Sequence, residues 1–426
     1  MNFEQSVEFL FSLERFGWRL GLDRMQRFLA AVGNPHENMR FVHIAGTNGK
    51  GTVAAIIESI ARTAGYRTGL YTSPHIRSPV ERIRICGAEI TVKEFVLCAN
   101  RLRPIIQDLE CTFFEAMTGI AFYAFNRAQT DLVLCEVGLG GRLDATNVIS
   151  PEVCIVTSIS LDHTDHLGDT LARIAYEKAG VLKTSVPCIL GEMKNEAEAV
   201  IRESAVKKQC EIFPVNDYCR IEDVSLDLQS TAFDLTIDDF INRRIELPLL
   251  GTHQITNACL AALTVMLLQR NDWRIDADQA IRGMRGVRWS GRFEIIHKAP
   301  LMVVDVAHNV ASVRCTVEML REYFPGFDVI VVLGLLSDKD VKGIVKTIAP
   351  IAYRVLPVQL ETARAMQADL LYDELRSRDL KCAPPRPVSD VLRHAIEICG
   401  DDQLICITGS HYLVGDVLTI IKNLTE

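Results

Sequence analysis

Residues 41–52 (FVHIAGTNGKGT) can hold a triphosphate, because a short apolar run changes abruptly into a glycine-rich turn that carries Lys50 and ends at Thr52. Glycine tolerates positive φ, so the turn can point backbone N–H groups at phosphate oxygens, and the following helix adds the partial positive charge of its N-terminus. Lys50 would neutralise the outer phosphates. The usual pattern is G-x-x-x-x-G-K-[ST], but Ile44 stands at the first glycine and Gly51 separates Lys50 from Thr52. We therefore expect a variant phosphate loop, with an ordinary glycine-rich turn as the alternative.

Three further polar residues, Ser73, Glu136 and His163, follow other apolar runs that are predicted to be strands. In an open parallel sheet, ligands bind at the carboxyl ends of the strands. The oxygen and nitrogen donors of these three side chains could converge on a magnesium ion that bridges the phosphates of ATP. The alternatives are that Glu136 caps a helix or pairs with Arg142, and that His163 is a capping or core histidine.

Lys178 and Asp305 are less clear from the residues alone. Lys178 lies in YEKAGV on a predicted helix that is otherwise largely apolar, and such a lysine is normally a solvated or snorkelling side chain. Asp305 and His308, in DVAHN, directly follow a predicted strand, where an acid could hold a ribose hydroxyl and a histidine could approach a nucleotide. An N-cap at Asn309 is compatible with that role.

Short apolar runs alternate with helical patterns along the first part of the chain, which predicts a parallel sheet covered on both faces. A helix is predicted at 52–64. The predicted strands are the apolar residues of 41–45, then 68–71, 131–136, 153–158 and 186–190. Residues 212–250 alternate like strands and predict a small β element, which is followed by a helix at 256–269.

Residues 285–299 are rich in glycine and arginine and are predicted to be a linker. The alternating pattern then restarts, with strands at 301–305, 329–333 and 404–408 and a helix at 310–323. This part predicts a second, smaller α/β domain of about 130 residues, which is within the usual size of a domain.

The composition excludes several classes of protein. The chain has 426 residues, of which 48% are hydrophobic and 23% charged, as in ordinary globular proteins, and a formal charge of −8 argues against general nucleic-acid binding. No apolar run approaches the roughly 18 residues of a membrane span. Thirteen cysteines without C-x-x-C spacing predict small buried side chains in a reducing compartment, rather than disulfides or a zinc site. We therefore expect a cytoplasmic protein with neither nucleic-acid nor membrane partners.

The motifs together resemble the bifunctional folylpolyglutamate synthase and dihydrofolate synthase family of the Mur ligase superfamily. The similarity covers nearly the whole chain, and its motifs in chain order are GLDRM, AGTNGKGT, LYTSPH, ERIRI, TFFE, EVGLGGRLDATNV, SISLDHTDHLGDT, YEKAGV, LLGTHQITNA, WSGRFE, DVAHN and TGSHYLVGDV. Together with the predicted elements, this resemblance implies an α/β fold of two domains. Residues 1–290 would form the central domain of the Mur ligase type, a P-loop parallel-sheet ATPase domain with a small β element. Residues 291–426 would form a smaller, Rossmann-like α/β C-terminal domain.

The resemblance also implies roles for individual residues. ATP, the co-substrate, would be bound by Thr47, Asn48, Gly49, Lys50, Gly51, Thr52, Asn257, Arg292, Asp305 and His308. Two magnesium ions would be bound by Ser73, Glu136, His163 and a carbamylated Lys178. The pteroate would be bound by Thr112, Phe113, Phe114, Glu115, Leu143, Asp144 and Ala145. The catalytic set would be Lys50, His163 and Lys178. A carbamate converts a cation into an oxygen ligand, so this role replaces the solvated lysine that composition predicts.

Three departures from the family pattern accompany these matches. Thr252 stands where the family often has arginine, DVAHN replaces the commoner DGAHN, and the loop after TSPH reads IRSPVERI. The set of residues implied for phosphate and magnesium is intact.

The implied activity joins L-glutamate to dihydropteroate and to tetrahydrofolate through an acyl phosphate, at the expense of ATP, in a monomer. Phe113 and Phe114 could stack on a pterin or could be core aromatics. The nearest alternative is a folylpolyglutamate synthase alone, and a further one is another amino-acid ligase of the Mur type, such as a cell-wall precursor ligase, which normally needs an additional N-terminal domain. A GTPase switch would show N-K-x-D and a dehydrogenase G-x-G-x-x-G, and neither pattern occurs at the expected place.

Overall fold

The computed structural model describes residues 1–17, 19 and 21–425. The chain forms two compact units. The first unit comprises Met1–Val224, Ala232–Pro248 and Ile255–Val287. The second comprises Ser225–Thr231, Leu249–Gln254 and Arg288–Glu426.

An eight-stranded sheet forms the centre of the first unit. Its strands in chain order are β1 Arg40–Ala45, β2 Thr68–Tyr71, β3 Ile83–Ile85, β4 Ala88–Glu89, β5 Leu132–Glu136, β6 Val153–Val156, β7 Cys188–Leu190 and β8 Ile212–Pro214. Their spatial order is β4-β3-β2-β5-β1-β6-β7-β8, and all neighbours from β2 to β8 are parallel. Every residue of β5 and β6 is buried, as expected where both faces of a parallel sheet are covered. The predicted parallel sheet is therefore confirmed.

Helices cover this sheet and connect its strands. In chain order they are α1 Phe3–Ser12, α2 Asp23–Ala31, α3 Lys50–Thr63, α4 Val92–Asp108, α5 Phe113–Arg127, α6 Thr164–Leu167, α7 Leu171–Ala179, α8 Asn195–Lys207, α9 Val215–Tyr218, α10 His253–Gln269 and α11 Ala277–Gly286. The predicted helices at 52–64 and 256–269 correspond to α3 and α10, each of which begins a few residues earlier.

A separate sheet of three strands confirms the small β element, with one change. Its strands are β9 Arg220–Leu226, β10 Thr231–Ile237 and β11 Ile241–Leu247. The beginning of the predicted region belongs to the large sheet instead, because Ile212–Pro214 pairs with β7.

The second unit is built on a six-stranded sheet. Its strands are β12 Glu294–Lys298, β13 Leu301–Asp305, β14 Asp328–Leu333, β15 Ala352–Gln359, β16 Arg386–Pro387 and β17 Gln403–Thr408. Its helices are α12 Val310–Tyr323, α13 Val341–Ile348, α14 Ala368–Ser377, α15 Val388–Ile398 and α16 His411–Thr425. The strand order is β12-β13-β17-β14-β15-β16, in which only β12 is antiparallel to its neighbour.

The predicted linker at 285–299 is wrong. Helix α11 continues to Gly286, and residues 294–298 form the edge strand β12. An edge strand with one partner tolerates charged residues that a central strand excludes, so its sequence lacks the continuous apolar run used to predict strands.

All thirteen cysteines are free thiols, and seven of them are buried. Cys86 departs from the prediction of burial, because it is exposed in the tight turn between β3 and β4 with φ of 51°. Within the described residues, no helix combines the length and apolar character needed to cross a membrane.

Candidate active site

The phosphate loop lies between β1 and α3 and takes a shape that requires glycine. Gly46 has φ of 143°, and a Cβ there would overlap Thr157 at the end of β6. Gly49 has φ of 83°, and a Cβ there would lie 2.6 Å from Oδ1 of Asn257 on α10. These two glycines therefore explain the spacing of the motif, and Asn257 lies directly beside the loop as the resemblance implies.

The segment after β6 holds the phosphate loop in place. Thr47 N donates to Ser158 O (2.8 Å), and Asn48 N donates to Ser158 Oγ (3.1 Å). The hydroxyl of Thr157 donates to Asn48 O at 2.6 Å. These hydrogen bonds from the segment after β6 therefore hold the phosphate loop in its shape.

The N-terminus of α3 presents its first amide groups beyond this loop. The hydrogen-bond ladder of α3 begins with Val53 N donating to Gly49 O, so the amides of Lys50, Gly51 and Thr52 precede it and have no intrahelical acceptor. Lys50 Nζ lies 3.1 Å from Thr47 O. Three amides and one ammonium group thus surround the position where an anion would bind.

Glu136 ends β5 beside the phosphate loop, because Ile44 of β1 is its partner in the sheet. Its buried carboxylate accepts a hydrogen bond from Ser73 N (3.0 Å) and lies 3.9 Å from Lys50 Nζ. The structure thus brings three of the sequence-predicted site residues together. His163 stands at the start of α6 with φ of 50°. Its Nε2 lies 4.0 Å from Asp162 Oδ1.

The residues fit a magnesium site in their donor chemistry. Across residues 1–17, 19 and 21–425, no three His, Cys, Asp or Glu side chains are placed to hold a metal ion by themselves. Magnesium keeps several waters and needs few protein ligands, mostly oxygens. The carboxylate of Glu136 with the hydroxyl-bearing Ser73 beside it meets that requirement next to the phosphate loop.

Lys178 of α7 is buried, so the solvated side chain that composition predicts is wrong. Its Nζ donates to Gly46 O at 2.7 Å, which places the amine against the phosphate loop. Burial, reinforced by the positive charge of Lys50, lowers the pKa of Lys178 to about 7. The composition of α7 shows that the helix is largely apolar. It does not show which face of the helix packs against the sheet. A neutral amine at this position is a nucleophile, unlike an ordinary lysine.

Asp144 organises the loop that follows Glu136. One carboxylate oxygen accepts from Leu139 N (2.9 Å), and the other accepts from Thr146 N (3.0 Å) and Thr146 Oγ1 (2.5 Å). Burial raises the pKa of Asp144. The hydroxyl of Thr146 also meets Nε2 of His43, which is fully buried in β1 and whose pKa burial lowers to about 3. Leu143 and Ala145 flank Asp144 in the same loop.

The sequence patterns did not predict a role for His43 or Thr146. A polar residue within an otherwise apolar strand was the available signal for His43.

Thr112 and Glu115 begin α5 with reciprocal hydrogen bonds between their side chains and backbone amides. Arg24 Nε donates to both carboxylate oxygens of the buried Glu115 at 2.9 Å, a contact that the sequence did not predict. Thr112 and Glu115 therefore fix the position of the two phenylalanines between them.

Phe114 packs against Gly138, where a Cβ would lie 2.4 Å from its ring, and against Tyr71 with ring centroids 6.0 Å apart. Phe113 is half-buried and stacks with Phe11 of α1. Phe114 is thus close to the loop of Asp144, which follows Gly138.

Asp305 ends β13 of the second unit and is buried. Its carboxylate accepts from Ala307 N (2.9 Å) and from Thr316 Oγ1 (3.1 Å). Burial raises the pKa of Asp305 to about 6 although the charge of Arg292 acts in the opposite direction. The His308 ring is held by a hydrogen bond between Nδ1 and Val306 O (2.9 Å).

The position of Thr252, which departs from the family pattern, is exposed. The next residue, His253, is positioned by Gln254, with Nε2 of each 2.9 Å apart. Burial and the charge of Arg292 lower the pKa of His253 to about 4.

Family models match both parts of the chain. The Mur ligase middle domain matches residues 44–265, and the Mur ligase glutamate ligase domain matches residues 291–411. The chain belongs to the Mur ligase family. Members of this family form carbon–nitrogen bonds at the expense of ATP, and this Mur ligase is an enzyme of that class.

Two relatives of this Mur ligase place it in the folate branch of the family. It is 33% identical to the dihydrofolate synthase/folylpolyglutamate synthase of Bacillus subtilis over 418 residues, covering 96% of each chain. It is 30% identical to the folylpolyglutamate synthase of Lacticaseibacillus casei over 425 residues, covering 98% of each chain.

Solved structures agree. E. coli FolC in complex with DHPP and ADP has a TM-score of 0.89 and 29% identity, covering 99% of this chain and 98% of that one. A bifunctional folylpolyglutamate synthase/dihydrofolate synthase with Mn, AMPPNP and L-glutamate bound has a TM-score of 0.85 and 29% identity, covering 98% of each chain.

Proposed function

We propose that this Mur ligase adds L-glutamate to dihydropteroate, giving dihydrofolate, and adds further glutamate to tetrahydrofolate, each time through an acyl phosphate. The observation that carries the proposal is the arrangement of Lys50, Glu136 and Lys178 around the phosphate loop. The names of the relatives support the two acceptors, and the FolC complex supports a pterin acceptor bound with nucleotide.

The chain's own groups prepare the acceptor carboxylate, which is a poor electrophile. The amides of Lys50, Gly51 and Thr52 hold the phosphates of ATP, and the Lys50 ammonium stabilises charge on the γ-phosphoryl group as it passes to a carboxylate oxygen. ADP leaves and an acyl phosphate remains. The amine of L-glutamate then attacks the acyl carbon, and the tetrahedral intermediate expels phosphate to leave an amide.

Ser73, Glu136 and His163 would hold magnesium, which neutralises phosphate charge when bound. The relative with Mn and AMPPNP bound supports the use of a divalent metal. We further propose a second ion held by a carbamate on Lys178. The lowered pKa of Lys178 supports the carbamate, because only a neutral amine adds to carbon dioxide.

The nucleotide and acceptor contacts are proposals of the same kind. Asn257 would contact the phosphates beside Gly49, and Arg292, Asp305 and His308 would contact the rest of ATP. The acceptor would bind near Phe113 and Phe114, which lie close to the Asp144 loop.

We also propose that the enzyme works as a monomer in the cytoplasm, where its free thiols would stay reduced.

A folylpolyglutamate synthase without dihydrofolate synthase activity is the second candidate, because the relative from Lacticaseibacillus casei carries that name alone. Another amino-acid ligase of the Mur type is the third.

Product mass distinguishes these candidates. Purified protein is incubated with Mg-ATP and L-glutamate and offered 7,8-dihydropteroate in one reaction and tetrahydrofolate in another. We expect glutamate to be added in both reactions, to be lost in Lys50→Ala and to be retained in Lys207→Ala, which removes an exposed lysine paired with Glu203. Addition to tetrahydrofolate alone would identify a polyglutamate synthase, and addition to neither would direct the search to UDP-linked acceptors.

A further inference from the structure

Phe11, near the end of α1, lies flat on Phe113, the first residue of α5. The ring centroids are 5.5 Å apart and the planes differ by 1°. Phe11 is 39% exposed, whereas most large apolar side chains of the first unit are buried. A solvent-exposed phenylalanine held parallel to a second aromatic ring presents a flat apolar surface at the edge of the core.

Two polar residues complete this surface. The guanidinium carbon of Arg82 lies 5.1 Å from the centroid of Phe113, and Arg82 Nε donates to His75 Nδ1 at 2.9 Å. The His75 ring lies 6.2 Å from that of Phe11. We call Phe11, His75, Arg82 and Phe113 the aromatic cluster. Three separate segments of the chain supply it: α1, the connection between β2 and β3, and α5. It joins stacking faces to the hydrogen-bond donors of a guanidinium group.

The aromatic cluster adjoins the proposed acceptor site. Phe113 is followed by Phe114, which packs on Gly138 at the start of the Asp144 loop. Dihydropteroate carries a flat bicyclic ring with hydrogen-bond acceptors along its edge. Stacking on phenylalanine and hydrogen bonds donated by arginine both stabilise such a ring in its bound state.

We propose that Phe11 is a substrate-contacting residue that, with Phe113, forms the aromatic wall on which the bicyclic ring of dihydropteroate rests. This inference rests on the proposed function, because it takes dihydropteroate as an acceptor. It adds a residue from α1 to an acceptor site otherwise drawn from α5 and the Asp144 loop. Phe11 contributes to acceptor binding through stacking and takes no part in the transfer of phosphate.

The test compares four proteins: wild type, Phe11→Ala, Phe11→Tyr and Phe327→Ala. Phe327 is a matched control because its side chain is similarly exposed (38%) and contacts one other ring, but it lies in the second unit. For each protein, steady-state kinetics give KM and kcat with dihydropteroate and with tetrahydrofolate. Equilibrium titration gives the Kd of dihydropteroate in the absence of ATP and glutamate, and a thermal melt checks the fold.

We expect Phe11→Ala to raise KM and Kd for dihydropteroate by about twofold to twelvefold, the equivalent of one lost aromatic pair. We expect kcat to stay within about twofold, the KM for tetrahydrofolate to change less, and Phe11→Tyr to restore the wild-type values because it keeps the ring. Phe327→Ala should match wild type.

Unchanged or lowered Kd for dihydropteroate in Phe11→Ala would overturn the inference, and so would equal losses with both acceptors. Failure of the proposed function has a different signature. In that case wild type forms no glutamate adduct, while the titration still reports whether Phe11 contacts the ring.

Discussion

Replacing Asp305 by asparagine should stabilise the second unit and weaken nucleotide binding at the same time. Asp305 is buried at the end of β13, and its pKa is about 6 instead of the ordinary 3.8. An acid with a raised pKa holds its proton more tightly in the folded state. The stability contributed by that proton is fully present below about pH 3.8 and is lost as the pH rises through 6.

The expected magnitude follows from the two pKa values. The difference between 3.8 and about 6 corresponds to about 3 kcal/mol of unfolding free energy lost by pH 7. Asparagine is neutral and can keep both contacts. Its Oδ1 would accept from Ala307 N, and its Nδ2 would donate to Thr316 Oγ1, which can itself donate to Ser312 O. The variant should therefore recover up to about 3 kcal/mol at pH 7 and show no pH dependence from this position.

The assay pairs hydrogen exchange with nucleotide titration. Exchange of the amides in β13 and β17 at several pH values reports the stability of the second unit without assuming that both units unfold together. Loss of the charged hydrogen bond that we propose between Asp305 and a ribose hydroxyl should weaken ATP binding by about tenfold or more. Asp328→Asn, at an exposed position of β14 on the far side of β17, is the matched control and should change neither quantity. A destabilised Asp305→Asn, or one that binds ATP as wild type does, would refute the reasoning.

Three further variants test the first unit. Gly49→Ala should weaken ATP binding at least tenfold, because a non-glycine residue at φ of 83° costs about 1–2 kcal/mol and the added Cβ would meet Asn257. The control is Gly65→Ala, which should bind ATP normally, since Gly65 has φ of 93° but nothing lies within 4 Å of an added Cβ. Lys178→Ala should lose ligation that short carboxylates partly restore, and a mass spectrum showing unmodified Lys178 in active enzyme would exclude the carbamate. Asp144→Ala should lose about 2 kcal/mol of stability and impair dihydropteroate use more than tetrahydrofolate use; equal losses would argue against a separate pteroate site.

The sheet and the phosphate loop were predictable because their causes are local. Residues 132–136 form a continuous apolar run ending in an acid, and a strand buried on both faces requires that pattern. In the phosphate loop, the glycines at 46 and 49 mark positions of positive φ. By contrast, β12 was missed because an edge strand permits charged residues that conceal the pattern.

Contacts between distant segments account for what the sequence did not predict. Arg24 and Glu115 are 91 positions apart, and His43 and Thr146 are 103 apart. Lys178 is buried because its face of α7 meets the phosphate loop, and that depends on how the helix packs. The spacing of apolar residues predicts which face of a helix is apolar. It does not predict which polar group a buried lysine such as Lys178 will contact, here the carbonyl oxygen of Gly46.

Isotope transfer from the acceptor carboxylate tests the proposed reaction most directly. Dihydropteroate with a heavy oxygen isotope in its glutamate-accepting carboxylate is incubated with wild-type enzyme, Mg-ATP and L-glutamate, and the released phosphate is analysed by mass. The acyl-phosphate route predicts one heavy oxygen in each phosphate released, together with one glutamate in each product, and neither in Lys50→Ala. Glutamylated product with unlabelled phosphate would contradict the mechanism, and labelled phosphate without an amide would contradict the assignment of glutamate as the nucleophile.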